Sequence, residues 1–142
     1  MSARDDIGTR GSTGDRPPFD GLRLLAVEDH GIGRVLLQAM LAPLGVDLTV
    51  VPDGRAARKA AAEGDFAVVF VDLGLPDVAG ERLAGELARA RGCRGAKFVA
   101  VTGQGRPSEL PAVFHDWLEK PFSVRELHDR LAAITRPLER SA

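Results

Sequence analysis

Val68-Val69-Phe70-Val71-Asp72 runs four apolar residues straight into an acid, and Leu73-Gly74-Leu75-Pro76 carries the chain away behind it. A strand with one wet face alternates apolar and polar side chains. A strand covered on both faces reads as an unbroken apolar run. The segment Ala67 to Val71 is of the second kind, with Asp72 directly after it. Leu22 to Val27, Val46 to Val51 and Phe98 to Val101 share the pattern, and a short fifth strand is expected near Asp116 to Leu118.

The stretches between these runs have helical periodicity. Ile32, Val35, Leu36, Ala39, Met40 and Leu44 form one apolar stripe, closed by Gly45 as a C-terminal stop. Gly54 to Glu63 is Ala-rich and amphipathic, with Asp53 placed as its cap. Leu83, Leu87 and Ala90 mark a third helix ended by Gly92. The last is the clearest: Ser123 and Glu126 have capping-box spacing, and Val124, Leu127, Leu131 and Ile134 repeat at three and four residue steps. Buried strands alternating with amphipathic helices imply an α/β fold, a doubly wound parallel sheet with helices on both faces.

Composition narrows the function. The chain has 142 residues, a length near one domain, and Lys+Arg 19 against Asp+Glu 20 leaves a formal net charge of -1. Such a balance supplies no basic field for a phosphate backbone, so no nucleic-acid partner is expected. Cys93 is the only cysteine, which fits a reducing compartment. No apolar run approaches the roughly 20 residues that span a bilayer, and the N-terminus lacks a signal-peptide core, so the expectation is a cytoplasmic domain with no membrane partner. Residues 1–20, with Gly8, Gly11, Gly14, Pro17 and Pro18 among Arg and Asp, read as a disordered tail.

In a doubly wound sheet, ligands gather beyond the carboxyl ends of the strands. Glu28 and Asp29 follow the first strand, Asp72 the third; Thr102 closes the fourth and Lys120-Pro121 follows the fifth. These polar groups converge on one edge. Three carboxylates held together repel one another unless a cation intervenes, and a hard divalent ion with oxygen ligands is the simple remedy. A Lys ammonium and a Thr hydroxyl beside that ion suit the oxygens of a phosphoryl group in transfer. A carboxylate in the middle can be the nucleophile, and Asp72, on the central strand, is the candidate.

At these residues the sequence resembles the receiver domains of two-component response regulators. The matching segments are Leu24-Leu25-Ala26-Val27-Glu28-Asp29, Val71-Asp72-Leu73-Gly74-Leu75-Pro76-Asp77-Val78-Ala79-Gly80, Val99-Ala100-Val101-Thr102-Gly103 and Trp117-Leu118-Glu119-Lys120-Pro121-Phe122. The resemblance runs from about Leu22 to Ile134. It implies a flavodoxin-like receiver over residues 21–136, strand order 2-1-3-4-5, with a short tail at 137–142. It makes Asp72 the phosphoacceptor. Mg²⁺ would be held by Glu28, Asp29, Asp72 and the Gly74 backbone carbonyl, with Asp29 the more direct ligand of the acidic pair. Thr102 and Lys120 are the implied phosphoryl contacts, and Trp117 stands where the family carries its aromatic switch. The implied function is a phosphorelay receiver taking its phosphoryl group from a sensor histidine kinase or a histidine phosphotransfer protein. It would then switch conformation to control a downstream partner that the sequence does not identify. Such a protein catalyses only its own phosphorylation and dephosphorylation, as a monomer or weak dimer.

Some features depart from that pattern. Only 120 - 102 = 18 positions separate Thr102 from Lys120, and Pro107 and Pro111 lie within them. An interior helical Pro costs about 3 kcal/mol, so Gly103 to Pro111 is expected to be a loop with at most a turn or two of helix. In this family that helix contributes to the partner surface, which should therefore be unusual. His30 and Gly31 follow Asp29; His30 is expected to be a solvated loop residue, His115 and His128 surface groups, and Cys93 inert. Trp117 is a switch or a core plug. Two other functions share these residues: a phosphorylation-independent pseudo-receiver that binds proteins, and a phosphohydrolase with an Asp nucleophile. The latter generally carries a second acid two residues on, where Gly74 stands here. Eight residues follow Ile134 (142 - 134), too few for an output domain after it.

Overall fold

The computed structural model describes residues 16–135. Five strands, β1 (Arg23–Val27), β2 (Asp47–Val51), β3 (Val68–Asp72), β4 (Lys97–Thr102) and β5 (Asp116–Glu119), alternate with four α-helices, α1 (Gly31–Leu41), α2 (Gly54–Glu63), α3 (Gly80–Ala88) and α4 (Val124–Ile134). The strands form one parallel sheet in the order β2-β1-β3-β4-β5. This is the expected doubly wound arrangement, with β3 at its centre.

The two-residue period of each strand divides the interior into two cores. Leu24 and Ala26 of β1, Val68 and Phe70 of β3, and Val99 and Val101 of β4 face α1 and α4, where they meet Leu37, Leu41, Leu127 and Leu131. Leu25 and Val27, Val69 and Val71, and Phe98 and Ala100 face α2 and α3, against Ala57, Ala61, Leu83, Ala84 and Leu87. Every residue of β3 is buried, which is why its sequence shows no alternation.

Local signals set the helix ends. Asp53 accepts the Ala56 N–H at 2.9 Å, and the Ser123–Glu126 capping box is complete in both directions. Gly45 has φ 84°, but a 3-10 turn, Ala42–Leu44, comes between it and the end of α1. The third helix ends earlier than expected, at Ala88, and Gly92 lies in the following 3-10 turn, Arg91–Cys93. Gly92 is fixed there by close approach, since a Cβ would stand 2.3 Å from the Ala61 carbonyl oxygen.

The stripe expected on α1 is rotated. Ile32, Val35 and Leu36 are 78%, 68% and 55% exposed, whereas Leu37 and Leu41, which lie outside the expected stripe, enter the core; of the stripe itself Leu44 is buried and Met40 packs at the core's edge. Apolar side chains surround this helix almost completely, so periodicity cannot choose its phase. The leucines four apart, worth about 1.5–3 kcal/mol each on full burial, choose it instead.

The leader also differs from expectation. Residues 1–15 lie outside the described residues, but 16–20 are not a loose tail. Phe19 N–H donates to the Leu44 carbonyl and Gly21 N–H to the Gly45 carbonyl, both at 2.9 Å. The Phe19 ring packs on the α1/α4 core and lies 5.2 Å from the His128 ring. The C-terminal segment 137–142 lies outside the described residues.

No helix forms between β4 and β5. Residues 103–115 make a loop of bends and turns, in line with the two prolines. Leu110, Val113 and Phe114 of this loop pack on the α2/α3 core. Among the described residues, no helix is long and apolar enough to cross a membrane.

Candidate functional site

All the strand-end residues meet at one edge. Asp72 is the last residue of β3 and Thr102 the last of β4; they are 5% and 7% exposed. Glu28, directly after β1, is 3% exposed. Lys120, directly after β5, places Nζ 2.7 Å from Glu28 Oε1 and 3.0 Å from Asp72 Oδ2. One ammonium therefore bridges two buried carboxylates. Burial alone would lower the Lys120 pKa, but its hydrogen bonds to Glu28 and Asp72 and their charges raise it above the ordinary lysine value. It stays a cation at neutral pH.

The other Asp72 oxygen, Oδ1, accepts the Gly74 N–H at 2.8 Å. Thr102 Oγ1 accepts the Gln104 N–H at 3.1 Å, so its own proton remains available to a further acceptor. These groups open on a cleft of about 760 Å³ lined by His30, Asp72, Gly74, Thr102, Arg106 and Lys120, among others. The peptide bond between Lys120 and Pro121 is cis.

The acidic pair is held from α1. Arg34 donates through one guanidinium nitrogen to the carbonyls of both Glu28 and Asp29, each at 3.0 Å. Gly33 lets Glu28 lie against the first turn of the helix, because a Cβ there would stand 2.8 Å from the Glu28 carboxyl carbon. Neither residue was expected at the site. The available signal was Arg34 itself, the one charge in the helix Gly31–Leu41.

Three carboxylates against one ammonium leave a deficit of positive charge. Asp29 Oδ1 is buried with no hydrogen-bond partner. A buried carboxylate oxygen without a donor is costly, and a cation is the group that relieves it. Glu28, Asp29, His30 and Asp72 each offer a ligand atom, all within 4.8 Å of one another. The donor set fits a divalent ion.

His30 is a loop residue with its side chain 75% exposed, as expected, and its Nδ1 lies 3.3 Å from both Glu28 Oε2 and Asp29 Oδ1. His115 is exposed, but Nδ1 accepts the Phe98 N–H at 3.0 Å at the start of β4. Cys93 is buried in the core, and burial pushes its thiol up to about 11, leaving it un-ionised at neutral pH. Trp117 packs at the edge of the α2/α3 core. The Arg130 guanidinium lies 5.8 Å over its ring, and Arg130 Nε donates to the Trp117 carbonyl at 3.0 Å.

Residues 24–132 match the family model described as the response regulator receiver domain. The chain belongs to that family. The chain is 34% identical over 118 residues to the transcriptional regulatory protein TcrA of Mycobacterium tuberculosis, covering 82% of this chain and 47% of TcrA. It is 33% identical over 119 residues to the two-component response regulator PhoP of Pseudomonas aeruginosa, covering 81% of this chain and 52% of PhoP. The chain thus spans about half the length of these relatives. The receiver domain of the sensor histidine kinase PA1611 of Pseudomonas aeruginosa, solved with magnesium coordinated in its active-site cleft, superposes with a TM-score of 0.72 at 29% identity. That match covers 80% of this receiver and 96% of the other.

Proposed function

We propose that this receiver accepts a phosphoryl group on Asp72 with the help of Mg²⁺, and that the modified site changes the conformation seen by a partner. The single observation that carries the reading is the Lys120 ammonium bonded to both Asp72 and Glu28, beside a third acid, Asp29, that has an orphaned buried oxygen.

Each residue has a role in that transfer. An Asp72 carboxylate oxygen attacks phosphorus, the bond from phosphorus to the donor's imidazole nitrogen breaks, and the imidazole leaves with a proton. Lys120 and the free proton of Thr102 neutralise phosphoryl oxygens. Asp29, Asp72, the Gly74 carbonyl and Glu28 would hold Mg²⁺, with Glu28 also fixed by Lys120. The ion, when bound, supplies charge neutralisation at the phosphoryl oxygens. The aspartyl phosphate adds about -1.5 to -2 charge and three acceptors. It draws on Lys120 and Thr102, and the loop after Thr102 and Trp117 on β5 transmit the change. Water attack on the acyl phosphate resets the site. The protein catalyses these steps on itself and turns over no metabolite.

A protein donor is supported by the exposed face of α1. Ile32 and Leu36, with Met40, Pro121 and Phe122, line an apolar groove of about 490 Å³ that also reaches Glu28 and Lys120. A phosphohistidine on a kinase or phosphotransfer protein would reach Asp72 from that side, and the magnesium-bound PA1611 domain, itself part of a sensor kinase, is consistent with both the ion and the relay.

Intact-mass measurement after incubation with phosphoramidate and Mg²⁺ tests the reading. A gain of one phosphoryl group that is lost with EDTA and in Asp72→Asn is expected. No gain with phosphoramidate, acetyl phosphate or a phosphorylated kinase would favour a protein-binding module that works without phosphate.

A further inference from the structure

We infer that His30 is a nitrogen ligand of the cation site, so that this receiver binds a borderline first-row ion such as Co²⁺ or Zn²⁺ more tightly than Mg²⁺. The inference rests on the cation site proposed above and specifies its ligand set.

The spacing comes first. His30 Nδ1 stands 3.3 Å from Asp29 Oδ1 and 3.3 Å from Glu28 Oε2. Two donors bound at about 2.0–2.2 Å to one ion, at tetrahedral or octahedral angles, stand about 3.0–3.5 Å apart. The imidazole and the carboxylates already sit at the separation of neighbouring ligands. Asp29 Oδ1 is buried and unbonded although the ring nitrogen is so near. The ring nitrogen pairs with Glu28 Oε2 instead, and an ion in place of a proton on that nitrogen would also satisfy Asp29 Oδ1.

The backbone of His30 is fixed, and its ring is held, among the described residues, only by the 3.3 Å hydrogen-bond contact of Nδ1 with Glu28 Oε2. Its N–H donates to Glu28 Oε2 at 3.1 Å, and its carbonyl accepts the Arg34 N–H at 3.0 Å at the start of α1. The ring borders the cleft with Asp72, Gly74 and Lys120. His115 and His128 are spent elsewhere, on the Phe98 N–H and the Phe19 ring.

Chemistry then sets the preference. Mg²⁺ takes oxygen ligands and keeps several waters. Imidazole suits later first-row ions, whose affinity for a mixed nitrogen and oxygen site rises across the series. Replacing one oxygen donor by His30 favours Co²⁺ and Zn²⁺ with little gain for Mg²⁺.

Calorimetry with CoCl₂ and with MgCl₂ on the whole chain, and the visible absorption of bound Co²⁺, test this in wild type, His30→Gln and His128→Gln. His30→Gln should bind Co²⁺ at least tenfold more weakly, since loss of even an outer partner of a ligand costs about 10–100-fold. Its cobalt absorption should change, its Mg²⁺ affinity should stay within about twofold, and His128→Gln should match wild type. Equal Co²⁺ affinity and an unchanged spectrum in His30→Gln would overturn the inference, as would a wild type that binds Mg²⁺ more tightly than Co²⁺. Phosphorylation with Mg²⁺ is scored separately on the same proteins. Acyl phosphate in wild type without His30-dependent cobalt binding defeats this inference alone; the reverse result defeats the phosphoacceptor reading alone.

Discussion

Lys120 and Gly33 carry the energetics of the site for opposite reasons, one by its charge and one by having no side chain. Removing Lys120 leaves Glu28 and Asp72 buried side by side with no cation between them. Breaking a fully buried pair costs about 3–5 kcal/mol; the Lys120 side chain is 31% exposed at an open cleft, which reduces the expectation for Lys120→Ala to about 1–3 kcal/mol. The pH dependence has a definite sign. A lysine whose pKa is raised by folding contributes stability that is complete below the ordinary value of about 10.4 and is lost as pH rises through the raised one. Denaturant melts should therefore show wild type losing stability more steeply than Lys120→Ala above about pH 10.5. Parallel curves would contradict the bridge. Gly33→Ala sets two effects against each other. Alanine favours a helix by about 1 kcal/mol, while its methyl pushes the Glu28 carboxylate from its place. The melting temperature should move little and the Mg²⁺ affinity should fall, a split that calorimetry and thermal melts resolve. An unchanged affinity would mean that Glu28 does not position the ion.

Among the elements, α1 separates what anchors the fold from what faces a partner. Leu37→Ala removes a core side chain and should cost about 2–5 kcal/mol. Ile32→Ser with Leu36→Ser removes more apolar surface from the sequence yet should change stability by no more than about 1 kcal/mol, because both residues are exposed. The same double variant should slow phosphorylation by a protein donor and leave phosphoramidate labelling unchanged. Slowing with both donors would place the defect in the acceptor site instead. This helix is also where the sequence was least legible. Seven of its residues are apolar (Ile32, Val35, Leu36, Leu37, Ala39, Met40 and Leu41), so no phase stands out. By contrast α4, with an amphipathic repeat and a capping box, was readable directly. The segment 103–115 was readable for a different reason: Pro107 and Pro111 forbid a helix through most of it whatever surrounds them.

At the scale of the molecule, one rule connects sequence to site. A parallel sheet points all its strand ends the same way, so an acid or lysine just after an apolar run is assigned to the shared edge without knowledge of its neighbours. Asp72, Thr102, Glu28, Asp29 and Lys120 were legible on that basis. Arg34, Gly33 and His30 were not, since their importance lies in how α1 meets the acidic pair, a contact between an element's first turn and the residues just before it. Phe19 escaped notice because the docking of a short segment on a core leaves no periodic trace in sequence. The central claim, that Asp72 is the group that becomes phosphorylated, is tested most directly by borohydride reduction of the phosphoramidate-treated protein followed by peptide mass mapping. Reduction of an aspartyl phosphate converts that residue to homoserine. Homoserine at position 72 is the predicted result, and modification at Asp29 or Glu28 with position 72 intact would contradict it.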